Sequence, residues 1–118
     1  MTANRLTELA RLGQSVWIDF ISREALSSGE LARYVEQGVL GLTANPAIFE
    51  KAMASGTAYD EDMARLKSRG KSTIETYDAL ALADIGAAAD MLRPVYARTH
   101  GLDGYVSIEV NPHLAHST

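Results

Sequence analysis

Three polar residues stand where apolar runs are interrupted or end. Asp19 lies inside SVWIDFI (Ser15 to Ile21), Asn45 just past the run from Val39 to Thr43, and Glu109 near the end of YVSIEV (Tyr105 to Val110). A carboxylate between apolar neighbours is suited to proton transfer, because desolvation disfavours its charged form. Asp19 and Glu109 are therefore candidate acid/base groups, and Asn45 a candidate ligand-binding amide. Plainer readings stand beside these. Asp19 also fits a solvated strand-end carboxylate, and an Asn before Pro46 is a good helix cap.

Other chemistry is thinner. His113 and His116 have an H-x-x-H spacing that suits a metal, but no third ligand accompanies them, and two histidines in a polar tail are more simply solvated. Asp60, Glu61 and Asp62 read as a solvated helix face near its N-terminus, where negative charge suits the helix dipole. The rings of Trp17 and Tyr105 read as core. The sequence contains no glycine-rich phosphate loop and no nucleophile elbow. It has no cysteine, so disulfides and thiolate metal sites are excluded, which suits a reducing cytoplasm.

The elements that must position these residues follow from periodicity. Leu6, Leu9 and Leu12 recur at helical spacing before Gly13, predicting a helix from about Thr2 to Leu12. Ser15 to Ile21 then reads as a strand buried on both faces. Ser27 and Glu30 form a capping-box pattern ahead of the stripe Leu31, Tyr34 and Val35, predicting a helix that stops at Gly38. Val39 to Thr43 fits a second buried strand, and Asn45 followed by Pro46 starts another helix. Gly56 to Gly70 carries a helix with Tyr59, Met63 and Leu66 on one face. A second box, Ser72 and Glu75, opens a long alanine-rich helix that Pro94 is expected to kink or end. Thr99 to Asp103 is loop, Tyr105 to Val110 a third strand, and Pro112 is tolerable only near its end.

Strands separated by helices predict an α/β fold with a parallel sheet. In such folds ligands bind beyond the carboxyl ends of the strands, which is where the three polar residues fall. Three doubly buried strands would still leave two sheet edges to be covered by further chain or another subunit. With 118 residues, 47% hydrophobic, one modest core is the expectation. A net charge of -4 leaves no basic footprint, so nucleic acid and anionic membrane are poor partners and an anionic ligand needs a local site. No apolar stretch approaches a membrane span, and the amphipathic N-terminus with its acid is unlike a signal peptide. A cytoplasmic protein is expected.

Five segments together, VWIDFISR, GLTANPAIFEKA, YDALALADI, LRPVYARTHGLDGYVSIEV and NPHLAHST, resemble the N-terminal part of transaldolases of the longer bacterial form. They occur in order and cover essentially the whole chain. The resemblance implies a partial (β/α)8 TIM barrel: residues 1 to 118 as its first three strand–helix units, with an extra N-terminal helix and an enlarged helical segment between the second and third strands. It implies Schiff-base transfer of a dihydroxyacetone unit between sugar phosphates of the pentose phosphate pathway, without metal or organic cofactor. By that resemblance Asp19 is the acid/base for carbon–carbon bond cleavage and formation. Glu109 works through a water on the imine, and Asn45 and Thr43 bind substrate.

The departures bear on activity. The family's Schiff-base lysine lies on the fourth strand, beyond the last residue here, and Lys51, Lys67 and Lys71 sit in helical or turn segments with no apolar setting to activate them. The family's phosphate-binding basic residues also belong to later strands. Ala44 stands where a hydroxyl or amide residue is more usual, and Ser117 where an aspartate is. The chain alone is expected to be inactive and prone to self-association. The alternatives are a non-catalytic interaction module, the remnant of a truncated gene, or, within the same fold, an aldolase that releases dihydroxyacetone.

Overall fold

A computed structural model describes residues 3–110 and 112–117. Its elements run α1 (Arg5–Arg11), β1 (Trp17–Ile18), α2 (Arg23–Ser27), α3 (Glu30–Gln37), β2 (Gly41–Ala44), α4 (Pro46–Ala54), α5 (Asp60–Ser68), α6 (Thr73–Arg98) and β3 (Tyr105–Ile108), then a 3-10 turn, Pro112–Leu114. More than half the described residues are helical. The strands form one parallel sheet in the order β1-β2-β3.

Register decides which side chains face the helices. Trp17 pairs with Gly41 and Ile18 with Leu42, while Gly41 to Ala44 pair in step with Tyr105 to Ile108. Leu40, Leu42 and Ala44 belong to the buried core with Ile21, Leu31, Phe49, Ala88, Leu92 and Val95, and Ile18 and Val106 pack against it. Burying each large aliphatic or aromatic side chain contributes about 1.5–3 kcal/mol, so this face anchors the sheet. The alternate residues, Trp17, Gly41, Thr43, Tyr105 and Ser107, occupy the opposite face, where the Tyr105 ring meets Tyr96 of α6 edge-on at 5.6 Å.

That one-sidedness corrects the expectation of doubly buried strands. Only β2 is largely buried; β1 is half-buried, and β3 is exposed at Tyr105, Ser107 and Ile108. Apolar composition marks what a strand can bury, not what is present to cover it. β1 is also short, so Asp19 follows the strand and does not lie within it.

The helices keep most of their expected signals. Asn45 caps α4 with Pro46 in its first turn, and Ser72 and Glu75 form the reciprocal box at the start of α6. α1 starts at Arg5 under a box made by Asn4 and Thr7; the expected start at Thr2 lies outside the described residues. The Ser27–Glu30 box does not form. Ser27 ends the separate helix α2, and Gly29, with φ of 82°, provides the turn into α3, a conformation that glycine reaches without penalty. Pro94 does not end α6, which continues to Arg98. Leu92 and Val95 on either side of it are fully buried, and their burial outweighs the roughly 3 kcal/mol that an interior proline costs.

Candidate active site

The open face of the sheet carries the polar residues in rows. Trp17, Gly41 and Tyr105 form the lower row by direct pairing. One residue-pair further along, Thr43 pairs with Ser107, and Asp19 comes level with them, its Oδ1 accepting a 2.6 Å hydrogen bond from Thr43 Oγ1. Above them the chain leaves the sheet at Asn45 on one side and Glu109 on the other, where the Glu109 N–H still donates to the Ala44 carbonyl at 3.1 Å. Together with Ala44 and Ile108 these residues line a recess of about 460 Å³ at the carboxyl ends of the strands. That volume is within the usual range for a small-ligand site.

All four candidate site residues, Asp19, Thr43, Asn45 and Glu109, are thus brought together. Asn45 fulfils its capping reading, Oδ1 accepting from Ile48 N–H at 2.9 Å at the start of α4, while Nδ2 has no acceptor among the described residues. Asp19 and Glu109 are solvent-exposed, so the apolar shielding expected from their neighbours in sequence is not supplied by this chain. The neighbours Ile18 and Ile21 turn towards the helices instead. Sequence reasoning missed Ser107, although it sits two residues before Glu109 and so shares its face of the strand.

The lining groups are two carboxylates, two hydroxyls and one amide, with no cation among them. Such a set can exchange protons with hydroxyl groups and orient them, whereas a phosphate would meet only negative charge. Lys51 on α4, Lys67 on α5 and Lys71 after it are all exposed, and none lines the recess. His113 and His116 are exposed, and no cluster of three or more His, Asp or Glu suited to a metal occurs among the described residues.

A second polar cluster, also not foreseen, lies under the loop that carries Asp19. Asp84 of α6 is 2% exposed. Its Oδ1 accepts from Arg23 Nε at 2.9 Å and its Oδ2 from the Tyr59 hydroxyl at 2.5 Å. Arg23 also reaches Asp62 through Nη1 at 2.7 Å and stacks over the Tyr59 ring at 4.5 Å. Asp62 is thus an ion-pair partner and not simply part of a solvated face. Burial, and then the hydrogen bond to Asp84, pushes the Tyr59 hydroxyl above its ordinary range. Burial opposes the charge on Arg23, but Asp84 and Asp62 outweigh it and hold the guanidinium protonated.

Comparison with known proteins identifies the lineage. The family model for transaldolase/fructose-6-phosphate aldolase matches residues 16–118. The chain belongs to that family. Among curated transaldolases, the protein named Transaldolase 2 in Nostoc sp. is 50% identical across the whole chain, and its namesake in Nostoc punctiforme is 49% identical over the same extent. The transaldolase of Thiobacillus denitrificans is 45% identical over 98% of the chain. The chain spans 31% of the length of either Nostoc transaldolase and 32% of the third. No helix of the described residues is long and apolar enough to cross a membrane.

Proposed function

We propose that residues 1–118 supply the acid/base and hydroxyl-binding part of a transaldolase active site, built on the first three strand–helix units of a (β/α)8 barrel. The observation that carries this reading is the recess itself: Asp19, Thr43, Asn45, Ser107 and Glu109 converge at the carboxyl ends of three parallel strands. The reaction is transfer of a dihydroxyacetone unit between sugar phosphates through an imine. Asp19 moves the proton of the hydroxyl at the bond being broken or made. The Thr43 hydrogen bond on Oδ1 holds the carboxylate so that Oδ2 is presented to that proton. Asn45 Nδ2 donates to a hydroxyl of the transferred unit, and Glu109 moves protons through a water, both in the dehydration that forms the imine and releases water and in the addition of water that cleaves it.

No lysine lines the recess, so the imine-forming amine and the phosphate-binding cations come from outside these residues. The edges of β1 and β3 are covered in the same way, by further strands of the barrel. Two measurements test the reading. Borohydride reduction of the chain with fructose 6-phosphate should trap no covalent adduct; an adduct on Lys51, Lys67 or Lys71 overturns it. Grafting residues 1–118 in place of the matching third of the Nostoc sp. Transaldolase 2 should preserve transfer, and Asp19→Asn in that graft should lower kcat by at least about 10²-fold. An active graft indifferent to Asp19→Asn would remove Asp19 from the mechanism.

A further inference from the structure

The buried cluster around Asp84 is more than a brace between helices. α5 and α6 already share an apolar contact in Tyr59, Leu66 and Leu80, backed by Ala52, Met53 and Met63. A buried ion pair adds little net stability compared with apolar residues of the same volume, because desolvation offsets most of the attraction. What polar groups add is direction. The Arg23 fork commits Nε to Asp84 and Nη1 to Asp62, and the Tyr59 hydroxyl, besides donating to Asp84, accepts from the backbone N–H of Arg23 at 2.9 Å.

That last contact pins the main chain. Arg23 is the first residue of α2, four residues after Asp19. On the other side of Asp19, Ile18 is fixed in the sheet opposite Leu42. Between these two anchors run only residues 19 to 22, with Ile21 fully buried and Ser22 Oγ accepting from Ala25 N–H at 3.0 Å. A segment this short, held at both ends, has few conformations left.

We propose that Tyr59, Asp84 and Arg23 are positioning residues for Asp19, clamping the β1–α2 loop so that its carboxylate stays against the Thr43 hydroxyl. The functional consequence rests on the reading of Asp19 as acid/base; the clamp itself does not. It also gives the inserted α5 region a task, since Tyr59 and Asp62 reach the loop from there.

The test uses the chain itself and reads Asp19 directly, by the three-bond couplings that report its χ1 rotamer and by backbone 15N relaxation of residues 19 to 22. In the wild type one rotamer should dominate, with order parameters of about 0.85. In Tyr59→Phe and in Asp84→Asn the couplings should average and the order parameters fall to about 0.6 while the Ile18–Leu42 pairing persists. Leu80→Ala is the control: it weakens the apolar contact that Tyr59 shares with α6 but removes no hydrogen bond of the polar cluster, so it should lower Tm and leave Asp19 ordered. If either polar variant fails to fold, Arg23→Lys, which keeps the cation but gives up the fork, takes its place under the same readout. An Asp19 that stays in one rotamer in the polar variants, or loses its order equally in Leu80→Ala, overturns the proposal. Activity of the graft does not enter this readout, so the clamp and the catalytic reading fail separately.

Discussion

At Tyr59 a single hydroxyl joins a helix, a loop and a buried carboxylate, and its ionisation should be visible in stability. The folded protein holds this phenol neutral, through burial first and then through the hydrogen bond to Asp84, so its pKa lies above the ordinary value of about 10. The sign follows from linkage: the stability contributed by the neutral phenol is fully present below the unfolded value and is lost as pH rises through the folded one. The free energy of unfolding should therefore decline from about pH 10 upward. Tyr77, raised by its own burial and by Asp78 and Glu50, adds to the same decline. Chemical denaturation at several alkaline pH values should show a shallower slope for Tyr59→Phe than for the wild type. An identical slope would mean that the phenol is not held neutral. Neither this residue nor Asp84 announces itself in the sequence, where Tyr59 reads as one apolar position among Met63 and Leu66, and Asp84 as one acid in an alanine-rich helix. Their partnership spans 25 positions, beyond any local pattern.

Among the elements, α6 is where local rule and tertiary context disagree. Pro94 lacks the N–H that the turn before it would use, yet the helix runs 26 residues through it because the stripe on either side is buried. Pro94→Ala should restore that hydrogen bond and raise stability by about 1–2 kcal/mol, part of the gain being offset by the freer unfolded chain. A melting curve unchanged or lowered would show that the proline is better accommodated than its chemistry suggests. The case illustrates what the sequence made legible. Caps whose partners lie three residues away, at Asn45 and Ser72, form as expected, as does the alternation of helix and strand. The Ser27–Glu30 box failed because a short helix claimed Ser27 first. Strand burial was misjudged because coverage depends on elements distant in the chain. The candidate residues Asp19, Asn45 and Glu109 stood out for a local reason, each lying where an apolar run is interrupted or ends, whereas Thr43 came only from the family resemblance.

The molecule as a whole is a slab, 49 × 36 × 22 Å, with a radius of gyration of 15.9 Å. A compact chain of this length would have about 13.5 Å. The excess reflects a sheet packed on one side only, with Tyr105, Ile108 and Val110 exposed along β3 and just beyond it. An apolar edge strand of this kind seeks pairing. Sedimentation velocity of the isolated chain should show association that grows with concentration, and Ile108→Lys should shift it towards monomer; a chain that stays monomeric throughout would show the edge to be inert. One contact on the open face bears on how related chains exchange parts. A Cβ at residue 41 would lie 2.4 Å from Trp17 Cε2, so the indole of β1 and the glycine of β2 fit as lock and key. They are 24 positions apart in the chain and must be inherited together. A crossover between two related genes that falls between these codons would set Trp17 against a foreign neighbour. Unless that neighbour is glycine, the recombinant would lose the row on which Asp19 and Thr43 stand.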